Sequence, residues 1–154
     1  MTSFEVIHLR NPSFLGTQYT KMKSEKKVCT RTIKNSVLKQ LLQDRLKNNK
    51  FVGAICGAVD YLGKNGLLTN FKHTGNAQYL WKDFDQYQNK SEFLEEQTVR
   101  DNNLVTANGT APLEFTKQVL KMITFKNSEQ IDKDIYLYEF CFYQYCKKYG
   151  NPFA

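Results

Sequence analysis

Apolar residues recur at helical spacing from Thr32 onward: Ile33, Val37, Leu38, Leu41, Leu42 and Leu46 form one stripe, with Lys and Gln opposite. Asn48-Asn49-Lys50 ends that helix. Phe51-Val52-Gly53-Ala54-Ile55 then runs apolar without alternation, the pattern of a strand buried on both faces of a flanked parallel sheet. Gly57 to Leu62 continues at once as a helix toward Gly66. Helix, buried strand and helix in quick succession are the rhythm of an α/β domain. From Asn70 the chain crosses to Asn76, then reads as helical or irregular through Trp81 and Phe84.

Thr98-Val99-Arg100 and Leu104-Val105-Thr106-Ala107 flank Asp101-Asn102-Asn103, whose tolerance of positive φ predicts a hairpin. A helix follows Asn108-Gly109-Thr110, with Pro112 in its first turn, where the missing N–H costs nothing. A last helix, from about Ser128 to Lys148, carries Tyr136, Tyr138, Phe140, Phe142, Tyr143 and Tyr145. Cys141 and Cys146 lie on it and are expected in core packing. The N-terminal thirty residues are less regular. Phe4 to Leu9 alternates loosely, as a short strand would, and Arg10 to Thr30, with Pro12, Gly16 and several lysines, reads as loop.

At 154 residues the chain has the length of one domain. Composition changes this picture little. Hydrophobic residues make up 41% and aromatics 14%, enough for a packed core and too much for a disordered chain. The net charge of +7 raises the question of polyanions. Its lysines are scattered among acids, apart from Lys21, Lys23, Lys26 and Lys27, and no nucleic-acid motif is present. A solvated surface is the expectation, with no nucleic-acid and no membrane partner. No apolar run suits a bilayer span and the N-terminus lacks a secretory pattern, so the expected location is cytoplasmic. The four cysteines are then expected as reduced thiols, and none has metal-ligand spacing.

The candidate chemistry centres on Cys56. A cysteine between a buried strand and a helix is held at the sheet edge beside a helix N-terminus, whose free N–H groups favour negative charge. The tight turn needs small neighbours, and Ala54, Gly57 and Ala58 supply them. A serine hydrolase elbow follows the same logic. A buried, inert cysteine after a core strand is the alternative reading.

Four ordered motifs extend the pattern: Val52 to Ala58, Gly66-Leu67-Leu68, His73-Thr74-Gly75-Asn76, and Leu104 to Phe115. Together they resemble the PfpI superfamily, which includes PfpI-type intracellular proteases or amidases and the Parkinson-associated deglycase. That group shares the fold of class I glutamine amidotransferase domains. The resemblance covers roughly Ile33 to Tyr149. It implies a flavodoxin-like α/β three-layer sandwich with a mainly parallel sheet, here lacking its first strand-helix units. It divides the chain into an N-terminal segment, 1–31, and a PfpI-like domain, 32–154. By resemblance Cys56 is the nucleophile and Gly57 offers an oxyanion-hole N–H. His73 falls where relatives place a histidine near the thiol; it pairs with Cys56 or orders its own loop. Thr74, Asn76, Asn108 and Thr110 line the same pocket or cap turns.

The family pattern is incomplete. Proteolytic members carry a histidine directly after the cysteine, where this chain has Gly57. Relatives also place a glutamate on the first strand and a Gly-Gly loop before the helix matching Ile33 to Lys47. Here that helix follows Lys26-Lys27-Val28-Cys29-Thr30, and Glu5 is the only acid beside a candidate first strand. The resemblance implies an intracellular cysteine-dependent hydrolase of the protease, amidase or deglycase type, with no cofactor or metal and a small-molecule or peptide substrate. It further implies a homo-oligomer, a dimer. The alternatives are a non-catalytic stress or redox-sensing member, whose cysteine is oxidised to sulfenate or sulfinate, and an inactive truncated remnant.

Overall fold

The computed structural model describes residues 35–154 in full and the backbone of three strand segments before them, 4–7, 17–22 and 28–33. In chain order the elements are β1 (Phe4–Ile7), β2 (Thr17–Met22), β3 (Val28–Ile33), α1 (Asn35–Lys47), β4 (Val52–Ile55) and α2 (Gly57–Lys64). Two 3-10 turns follow at Gln78–Trp81 and Lys90–Glu92, then β5 (Thr98–Asp101), β6 (Leu104–Ala107), α3 (Pro112–Met122) and α4 (Ser128–Tyr149). One six-stranded sheet has the order β3-β2-β1-β4-β6-β5.

Parallel pairing is confined to the centre, where β1 pairs with β4 and β4 with β6. Antiparallel ribbons close both sides, β1-β2-β3 at one and β6-β5 at the other. The expected parallel sheet is therefore its middle, and the hairpins make the whole sheet mixed. The loop expected over Arg10 to Thr30 gives way to β2 and the first half of β3 within the described residues. Both strands mix β-branched and polar residues, so no clean apolar alternation announces them. The helix expected from Thr32 begins at Asn35, with Thr32 and Ile33 at the end of β3. Lys23, Lys26 and Lys27 lie outside the described residues.

Alternation along β4 and β6 builds two cores. Val52 and Ala54 of β4 and Leu104 of β6 pack with Leu38, Leu42 and Leu46 of α1 and with Ala58, Val59 and Leu62 of α2. On the opposite face, Val105 and Ala107 meet Phe115, Val119 and Met122 of α3, with Ile55 against them. The result is the three-layer sandwich, helix on both faces of a sheet. On α1 the predicted stripe narrows: Leu38 and Leu42 are buried, but Val37 is exposed.

Two buried polar side chains tie elements to this frame. Asn103 closes the β5-β6 turn and donates from Nδ2 to the carbonyls of Leu46 (3.3 Å) and Lys50 (2.9 Å). Its neighbour Asn102 takes the positive φ, 50°, that the hairpin needs. The Arg45 guanidinium donates to the Phe51 carbonyl, 3.0 Å from Nη2. Together they fix the point where α1 ends and β4 begins.

Candidate active site at the β4-α2 turn

Cys56 caps α2 with φ 56° and ψ −129°, and its thiol is exposed. Its backbone N–H stays in the sheet, donating to Ala107 O at 3.0 Å, while its carbonyl accepts from Val59 N–H at 2.9 Å. The chain thus leaves β4 and enters α2 within one residue. A non-glycine residue at positive φ is strained, and such strain is stored where the surrounding structure enforces it. Here the β4-β6 ladder and the first turn of α2 do so. Gly57 follows as the first residue of α2, so its amide is among the N–H groups a helix start leaves without intrahelical partners.

Three of the residues predicted around Cys56 come together. Asn76 Nδ2 donates to Cys56 Sγ at 3.4 Å, and Asn76 Oδ1 accepts from the Gly109 N–H at 2.8 Å. One amide therefore bridges the thiol and the loop after β6. Asn108 and Thr110 flank that contact, with Asn108 Oδ1 accepting from the Thr110 amide (3.0 Å) and hydroxyl (2.7 Å). Their role is to turn the chain from β6 into α3. Gly109 carries no functional signal of its own in the sequence, yet it lies against the thiol. A Cβ there would stand 3.0 Å from Cys56 Sγ and 3.3 Å from Asn76 Oδ1. Its only sequence signal is a glycine two residues past a core strand, where close backbone approach is common.

His73 is placed otherwise. It is fully buried, with Nδ1 2.8 Å from Phe71 O and Nε2 2.8 Å from Tyr87 Oη. Both ring nitrogens are taken, and the ring lies among Trp81, Tyr87 and Phe93. Burial pushes its pKa below the ordinary 6.5, so the neutral ring is favoured. The pairing of His73 with Cys56 does not form. Of its two readings, the loop-ordering one matches these contacts. A histidine three residues from Asn76 has the right location in sequence, but a packed aromatic cage claims it.

Thr74 is likewise a rivet. Its N–H donates to Thr106 Oγ1 at 2.9 Å and its hydroxyl to Glu96 O at 2.6 Å. Next to it Gly75 sits beneath Trp81, where a Cβ would approach an indole carbon to 2.7 Å. Trp81 is in turn anchored to the start of α2 by Nε1 donating to Asp60 Oδ1 at 2.7 Å. The whole segment 73–75 is thereby fixed to sheet and helix, and Asn76 is delivered to the thiol. Among the described residues no group of three His, Cys, Asp or Glu side chains is placed to hold a metal.

A flavodoxin-like sandwich with an exposed cysteine on the turn after its central strand defines a class of protein. The chain belongs to the DJ-1/PfpI family, whose pattern matches residues 26–122. It is 55% identical over 120 residues to the uncharacterized protease YdeA of Bacillus subtilis, covering 78% of this chain and 61% of that protein. A second Bacillus subtilis relative, the uncharacterized protease YoaZ, is 41% identical over 81 residues, 52% of this chain and 39% of its own. Among solved structures, a thiJ/pfpI family protein from Bacillus anthracis superposes with a TM-score of 0.62 at 31% identity, covering 75% of this chain and 57% of that one. The DJ-1 superfamily protein Atu0886 from Agrobacterium tumefaciens gives 0.59 at 30% identity, covering 67% and 56%. The chain thus spans about three fifths of the length of its first relative.

Proposed function

We propose that the protein is a cysteine-dependent hydrolase in which Cys56 Sγ attacks a substrate carbonyl carbon. The observation that carries this reading is the strained, exposed Cys56 held between β4 and α2 with an amide donor on its sulfur. Ionisation releases the thiol proton to solvent. The C–S bond then forms as the carbonyl π pair moves to oxygen, and the Gly57 N–H at the α2 terminus is the donor best placed for that oxyanion. Collapse expels the leaving group, and water hydrolyses the thioester to free acid and thiol. The relatives named as proteases support acyl transfer as the reaction class.

No titratable side chain among the described residues hydrogen-bonds to Cys56, and His73 is committed elsewhere. Leaving groups that depart as stable anions are therefore favoured over alkyl amines, which need a proton. The three cysteines described are free thiols, in keeping with work in the reducing cytoplasm. Turnover of p-nitrophenyl acetate by the wild-type chain and by Cys56→Ala tests the reading. A burst of one nitrophenolate per chain, followed by turnover and absent in Cys56→Ala, is expected. Equal rates in the two chains would remove it.

A further inference from the structure

Within α4, Cys141 has φ 70° and ψ 164°, so the element is two helical segments that meet there. The second turns back on the first. Tyr149 lies 5.4 Å from Tyr136 between ring centroids, and Lys133 Nζ lies 5.6 Å from the Tyr149 ring. In an unbroken helix residues 136 and 149 would be about 20 Å apart. Lys148 Nζ also stands 4.3 Å over the Tyr136 ring. The angles at Cys141 belong to a region that essentially only glycine occupies. Yet neither glycine nor proline occurs between Ser128 and Tyr149, and the sequence is suited to one continuous helix.

We infer that α4 straightens at Cys141 and exchanges its terminal segment, 142–149, with a second copy of this chain. Straightening relieves the strain and uncovers the Tyr136 ring, which Tyr149 and Lys148 cover in the closed form. The occupant that fits is the same segment from a partner, since it packs there with the same side chains in the same places. Contacts between the two segments select it as well: Lys148 of the second stands over the Tyr136 ring of the first, and Lys133 of the first over the Tyr149 ring of the second. Tyr138, Phe140, Phe142 and Tyr143, all exposed in the closed form, flank the hinge and lie where two straightened helices would cross. Exchange of an identical element across a strained hinge is a low-cost route to a dimer.

Light scattering over a concentration series, with Cys141→Gly beside the wild type, is the first measurement. A concentration-dependent dimer is expected, and glycine, which accepts the closed angles, weakens it by at least about tenfold. The second measurement takes chains whose four native cysteines are changed to serine, refolds Tyr136→Cys chains together with Tyr149→Cys chains, and oxidises them. A disulfide-linked pair forms in the mixture and not in either variant alone. A monomer at every concentration, a dimer that Cys141→Gly leaves unchanged, or a dimer without the mixed disulfide would each overturn the exchange.

Discussion

At the residue scale, Cys56 and Gly109 are a matched pair. The turn at Cys56 costs about 1–3 kcal/mol in backbone strain, and that strain is what projects the thiol. Glycine would sit at φ 56° without penalty. Cys56→Gly is therefore predicted to melt higher than Cys56→Ala, reversing the usual order, by calorimetry. Gly109→Ala puts a methyl group 3.0 Å from Sγ on an exposed loop. It is predicted to slow alkylation of Cys56 several-fold while changing the melting temperature little. Asn76 is legible in the sequence only as one of several polar residues near the motif. Its place on the sulfur depends on the Gly109 amide, a contact between residues 33 positions apart that no local pattern announces.

At the scale of elements, the segment between α2 and β5 holds the site by packing. Gly75→Ala pushes a methyl group into Trp81, and overpacking of this kind typically costs about 1–3 kcal/mol. Urea unfolding is predicted to show that loss, with slower Cys56 alkylation because Asn76 moves. The elements that an apolar stripe, an apolar run or turn residues locate, α1, β4, α2, the β5-β6 hairpin and α3, are those whose apolar faces the sandwich buries. Strands β2 and β3 escape it because threonine, glutamine, lysine and arginine interrupt their alternation. The break in α4 escapes for another reason: neither glycine nor proline marks it, and Cys141, expected in the core, is exposed at the turn.

At the scale of the whole molecule, His73 links stability to pH. In the folded chain burial lowers its pKa below 6.5, whereas the unfolded chain keeps the ordinary value. The unfolded state therefore binds the extra proton first as pH falls. The stabilising contribution is complete above pH 6.5 and is lost as pH falls from there toward the folded value. The melting temperature is predicted to drop between neutrality and mild acid, and His73→Gln to flatten that part of the profile. The sequence leaves this histidine either to pair with the thiol or to order its own loop; the cage of Trp81, Tyr87 and Phe93 matches the second.

The strained turn between β4 and α2 implies that Cys56 is the reactive thiol. Mass spectrometry of the intact protein and its peptides, during alkylation with substoichiometric iodoacetamide at pH 7, tests it most directly. Modification is predicted to fall on Cys56 well before Cys141 or Cys146, and faster than on the same chain in urea. Equal labelling of the three, or no gain of Cys56 over the unfolded chain, would rule out a thiol activated by the fold.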